Sequence, residues 1–113
     1  MQELVEKVPG ATSAIFVDWE GEAVDQYSLE EDVYHLKVVG AYKGVMLNFI
    51  NQAQASMDIG TAETVIVRME NYSVLISSVK DGYFVLLILS PGALISRARY
   101  GIRRAVSALR DEM

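Results

Sequence analysis

Residues 83–89 read Tyr83-Phe84-Val85-Leu86-Leu87-Ile88-Leu89 (YFVLLIL), apolar at every position. A strand with one wet face alternates polar and apolar residues, whereas unbroken apolarity means that both faces are covered. This strand is therefore predicted at the centre of a sheet with helices on each side. Just before it stands Asp81-Gly82, a strong two-residue hairpin signal. Upstream, Thr64–Glu70 and Tyr72–Lys80 read as two further strands, divided at Asn71. Downstream, Ser90-Pro91 suits a helix start, with Ser as N-cap and Pro at the first helical position. In that helix Leu94, Ile95, Ala98, Ile102, Ala105, Val106 and Leu109 form one apolar stripe, and Arg97, Arg99, Arg103, Arg104 and Arg110 lie off it.

The N-terminal part is read in the same way. Met1–Val8 is predicted as a short helix, with Leu4, Val5 and Val8 at helical spacing, closed by Pro9-Gly10. Thr12–Asp18 and Glu22–Tyr27 form a hairpin around Trp19-Glu20-Gly21. Ser28 suits the N-cap of the longest element, with Glu30, Glu31 and Asp32 favouring its dipole. That helix is predicted to run to about Asp58, with Gly60 closing it. The order is α-β-β-α-β-β-β-α. Every strand link except the one through the long helix is a short hairpin, so the sheet is mainly antiparallel.

Composition bounds the function. At 113 residues the chain is expected to be a single domain, residues 1–113. It is 51% hydrophobic, more than a small core hides, which hints at a partner surface. The net charge is −5, and an acidic total argues against nucleic-acid binding. Cysteine is absent, so neither a disulfide scaffold nor a thiolate metal site is available. Residues 1–10 are charged and amphipathic, unlike a secretion signal, and no apolar run approaches ~20 residues. The expected compartment is the cytoplasm.

The long helix carries the functional argument. On a helical wheel Val38, Val39, Tyr42, Val45, Met46, Phe49, Ile50, Ala53 and Met57 fill one broad arc, which Leu36, Gly40 and Leu47 extend. The arc spans roughly 200°, against the ~100° that one core requires. Two readings fit it: a helix shared between its own sheet and a second copy of the chain, or a helix well buried in a monomer. Gly40 and Gly44 have the spacing that lets two backbones approach, or are an incidental pair. Tyr34, Lys37, Ala41, Asn48 and Gln52 lie on the side away from the sheet-facing arc.

Val8–Val24 (VPGATSAIFVDWEGEAV) resembles the opening of the Roadblock domain family, which includes a dynein light chain and bacterial regulators of Ras-like GTPases. The resemblance continues through Val79-Lys80-Asp81-Gly82, the apolar strand, a Pro-bearing helix start and the helix carrying Arg97 and Arg103-Arg104. It implies an α+β fold, an α/β/α sandwich: a five-stranded antiparallel sheet with the long helix on one face and the terminal helices on the other. It also implies dimers whose long helices pair and whose third strands join the sheets. The implied dimer interface is Val38, Tyr42, Val45 and Phe49 of the helix with Val65 and Val67 of the third strand. It further implies that a bacterial or archaeal chain of this kind binds a Ras-like small GTPase as a non-catalytic platform.

Groups that could carry chemistry are few. His35 is the sole histidine and has no recognisable catalytic partner, so a structural or surface role is expected, with no metal and no cofactor. Asp18, Glu20, Glu22 and Asp25 crowd the first hairpin without the spacing of a calcium loop. No phosphate-cradling glycine loop is present. The arginines of the last helix read as a solvated face; the competing readings are an acidic partner, a membrane surface or an arginine finger, with Arg68 another finger candidate. The expectation is a homodimeric platform that binds and regulates a Ras-like small GTPase, with Tyr34, Lys37, Ala41, Asn48 and Gln52 as partner-binding residues. The alternative is a light-chain-type adaptor that dimerises a motor or scaffold partner without nucleotide dependence.

Overall fold

The computed structural model describes residues 1–29, 48, 50–55 and 64–113. The described elements are α1 (Gln2–Lys7), β1 (Ala11–Val17), β2 (Ala23–Ser28), the helical residues 50–55 (α2), β3 (Thr64–Arg68), β4 (Ser73–Ser78), β5 (Phe84–Leu89) and α3 (Ile95–Glu112). The strands form one antiparallel sheet in the order β2-β1-β5-β4-β3. The YFVLLIL segment thus occupies the middle position, and every residue of β5 is buried.

The pleat sends alternate β5 residues to opposite faces. Val85, Leu87 and Leu89 pack with Ala14, Phe16 and Leu75 under α1 and α3, against Leu4, Val5, Ala98 and Ile102. Phe84, Leu86 and Ile88 pack with Ile15, Val17, Val74 and Ile76 under α2, against Ile50 and Ala53. The result is an α+β three-layer sandwich with two apolar clusters that share β5. Burying each large aliphatic side chain contributes about 1.5–3 kcal/mol. Leu87→Ala, at 0% exposure, is the single change that strikes the centre of the first cluster.

The turns follow their chemistry. Asp81 (φ +54°) and Gly82 (φ +82°) both take positive φ, as the tight hairpin turn requires, and the Tyr83 N–H donates to the Lys80 carbonyl. In the first hairpin Asp18 Oδ1 accepts from the Glu20 and Glu22 N–H groups, at 2.9 and 3.0 Å. This places one residue of the acidic cluster as the tie of its own turn. Tyr83 joins the two hairpin ends, its ring centroid 5.4 Å from that of Phe16 and 5.6 Å from that of Trp19.

One expected helix start is wrong, and another lies at the border of the described residues. Ser28 ends β2: its hydroxyl donates to the Thr12 carbonyl, and the next N–H, of Leu29, bonds the same carbonyl across the strands; the helix expected after it lies outside the described residues up to Asn48. Ser90-Pro91 does not open α3, which begins at Ile95 behind an N-cap at Leu94. Gly92 at φ +87° breaks the right-handed path, and the Ala93 N–H closes a turn on the Ser90 carbonyl. The Ser90 hydroxyl is drawn to the Gly10 carbonyl, 3.0 Å away, and Leu94 stays exposed instead of joining the stripe. The strands read as 64–70 and 72–80 also end earlier, at Arg68 and Ser78.

Candidate interaction surface

α2 lies on its face of the sheet with Ile50 and Ala53 buried, while Asn48, Asn51 and Gln52 are exposed. The apolar positions at i and i+3 seat it, and the amide side chains face outward. β3 is a sheet edge, and among the described residues no strand pairs with its outer side. Such an edge presents backbone donors and acceptors to the outside. Val65 and Val67 sit half-buried on the α2 face, against the second cluster, and Ile66 is half-buried against the first. Four of the residues singled out in the sequence thus share one side of the sheet: Asn48 and Gln52 on the helix, Val65 and Val67 on the edge. The remaining ones, Tyr34, Lys37, Val38, Ala41, Tyr42, Val45 and Phe49, lie outside the described residues, as do His35, Gly40 and Gly44.

The opposite face holds a feature that sequence reasoning missed. α1 and α3 cross closely at Gly101 and then diverge to leave a groove of about 830 Å³. Leu4, Gly101, Ala105 and Ala108 form its apolar floor, and Arg97, Tyr100 and Arg104 stand on its α3 bank. The Arg104 guanidinium lies over the Tyr100 ring, 5.8 Å from its centroid. On the α1 bank Lys7 Nζ meets Glu3 Oε1 at 2.5 Å, and this hydrogen bond holds the Glu3 carboxyl below its ordinary range. The signal available in the sequence was the run of small residues at 101, 105 and 108, which lets a neighbouring helix approach.

The α3 arginines have separate surroundings. Arg110 donates from Nε to the Val79 carbonyl and from Nη2 to the Ser78 carbonyl, tying the end of α3 to the end of β4. Arg97 and Arg104 line the groove. Arg99 and Arg103 are exposed. Among the described residues no cluster of His, Cys, Asp and Glu could hold a metal, and no helix is long and apolar enough to cross a membrane.

No family model and no curated protein matches the chain. Solved structures do. The chain is 23% identical to MglC from Myxococcus xanthus, with a TM-score of 0.76 over 100% of this chain and 95% of that one. A Roadblock/LC7 domain from Streptomyces avermitilis is 19% identical, with a TM-score of 0.75 over 99% and 92%. The gliding protein MglB from Thermus thermophilus is 14% identical, with a TM-score of 0.75 over 97% and 82%. Identities this low establish the fold alone. The chain has the roadblock fold, which the sheet order and the placement of α1, α2 and α3 express.

Proposed function

We propose that the chain works as a homodimer that binds a Ras-like small GTPase and regulates it, without chemistry of its own. The observation that supports this most is the pairing of an apolar edge strand with the outward amide face of α2 on a roadblock fold. Val65, Ile66 and Val67 of β3 are half-buried in the single chain, more apolar than an edge left to solvent requires. In this reading two β3 strands meet, and the sheets continue from one copy into the other. The helices beside them then present one joint surface, to which Tyr34, Lys37, Ala41, Asn48 and Gln52 contribute.

Regulation by such a surface is a shift in population. A platform that contacts the switch loops of a GTPase favours the arrangement it binds more tightly, and the gain is limited to that difference in affinity. The test mixes the purified protein with each small GTPase of its source organism, loaded with GTP or GDP, and follows co-elution and GTP turnover. The expected result is a complex that forms better with one nucleotide state. Equal binding to both states would favour the light-chain-type adaptor, and no complex with any of them would remove the GTPase reading.

A further inference from the structure

We propose that the groove between α1 and α3 is a docking site for an acidic peptide segment of a partner protein, on the sheet face opposite α2. Three observations converge on it. First, its volume of about 830 Å³ lies in the range of built ligand sites, and its floor is apolar. Second, its charge is unbalanced. Glu3 is engaged by Lys7, and Asp25 is engaged by the Met1 ammonium at 3.1 Å. Arg97 and Arg104 make no salt bridge among the described residues; the charge of Arg104 reaches Glu3 at longer range, and Glu112 lines the C-terminal end of the groove, so the ammonium of Met1, Lys7, Arg97 and Arg104 still outnumber Glu3, Asp25 and Glu112. Third, Tyr100 stands between these arginines at 63% exposure. Tyr and Arg are the residues that most often anchor protein interfaces.

The spacing specifies the ligand. Arg97 and Arg104 are two helical turns apart, about 10 Å along the axis. A matching segment carries two carboxylates at that separation, three residues apart if extended or seven if helical, with an apolar side chain between them. A guanidinium meets a carboxylate through parallel hydrogen bonds, which fixes register as well as charge. A lipid surface is the poorer match, because the basic residues flank a concavity instead of a convex apolar ridge.

The test pans a phage-displayed library of random 16-residue peptides against the full chain, then measures selected peptides by fluorescence polarisation. Selected peptides are expected to be rich in Asp and Glu around apolar residues. Their affinity should fall about tenfold or more in the R97E/R104E double variant, and in Ala108→Trp, which fills the floor. Arg103→Glu, off the groove, should leave it unchanged. All substituted side chains are exposed, and circular dichroism verifies folding. An absence of selected peptides, a selection without acidic bias, or indifference to R97E/R104E overturns the proposal. So does a change in sedimenting mass in R97E/R104E, which would make the groove a contact between copies, or pelleting with phosphatidylserine vesicles that R97E/R104E abolishes. GTPase binding is read separately on the α2 face, so either reading can fail alone.

Discussion

Gly101 faces Val8 so closely that a Cβ built on Gly101 would lie 2.5 Å from Val8 Cγ2 and 3.5 Å from Leu4 Cδ1. α1 and α3 therefore meet where one of them has no side chain. Glycine inside a helix costs about 1 kcal/mol relative to alanine, so its presence here reflects a packing demand.

Gly101→Ala sets these two effects against each other. The gain in helix propensity is about 1 kcal/mol, and overpacking against buried Val8 costs about 1–3 kcal/mol. The net expectation is destabilisation by about 1 kcal/mol, seen as a lower urea midpoint. Val8→Ala alone also destabilises, by about 2 kcal/mol. In the double variant the new methyl occupies the vacated space, so the combined loss should be smaller than the sum. Strict additivity in this cycle would mean that the two residues do not share the contact.

Leu94 is the N-cap of α3, with φ −78° and ψ 112°, and provides no side-chain hydrogen bond. Its backbone already has the extended conformation that capping residues adopt, and its side chain is 59% exposed. Leu94→Asp should therefore stabilise the fold by about 1 kcal/mol, raising Tm by about 4 °C. A lower Tm would show that Leu94 packs against something that its exposure conceals.

Much of the fold was legible in the sequence because local patterns carried it. The unbroken apolarity of Tyr83–Leu89 identified the middle strand, and Asp81-Gly82 identified its turn. The errors came from residues with two uses. Pro91 suits the first turn of a helix and equally the second position of a turn; the deciding signal was the following Gly92, which favours the positive φ of a turn. Ser28 bonds across the hairpin to the Thr12 carbonyl, a use that its reading as a helix cap did not include. The α1–α3 groove was hidden for a different reason. Val8 and Gly101 are far apart in the chain, and the periodicity of each helix says which face is apolar, not which helix lies beside it. Of the candidate surface, outward Asn48 and Gln52 followed from the wheel, whereas the edge position of Val65 and Val67 came with the family resemblance.

Asp81 is the one residue other than glycine with positive φ among the described residues. Asp tolerates the left-handed region through local hydrogen bonding, and β-branched residues do not. Asp81→Gly and Asp81→Asn should be close to neutral, while Asp81→Val should destabilise by about 1–2 kcal/mol. Thermal denaturation of the three variants checks the order. A Val variant as stable as the parent would mean that the hairpin adopts another turn in solution.

The Glu3 carboxyl titrates below its ordinary value because Lys7 donates to it and adds an opposing charge, with a smaller contribution from Arg104. A carboxylate with a depressed pKa favours the folded state above its unfolded pKa, and that contribution disappears as pH falls through the folded pKa. Carbon-detected NMR titration should place the Glu3 midpoint below those of Glu residues without a partner. Lys7→Met should move it upward and weaken the acid-side loss of α1. An unchanged midpoint in Lys7→Met would assign the shift elsewhere.

Val67 provides the sharpest test of pairing between copies. It lies on the edge strand with its side chain half-buried against the α2-side cluster. A lysine there can run its aliphatic stem along the cluster and place its ammonium at the rim, so the subunit should still fold. An edge that carries a lysine resists joining a second strand, because each new pair would bring two like charges into a desolvated seam. In sedimentation at micromolar concentration the parent chain is expected at twice 12.5 kDa, and Val67→Lys at 12.5 kDa with an unaltered far-ultraviolet spectrum. A parent chain that sediments at 12.5 kDa removes the paired-edge reading outright. A parent dimer that Val67→Lys leaves intact moves the contact away from β3 and onto the helices.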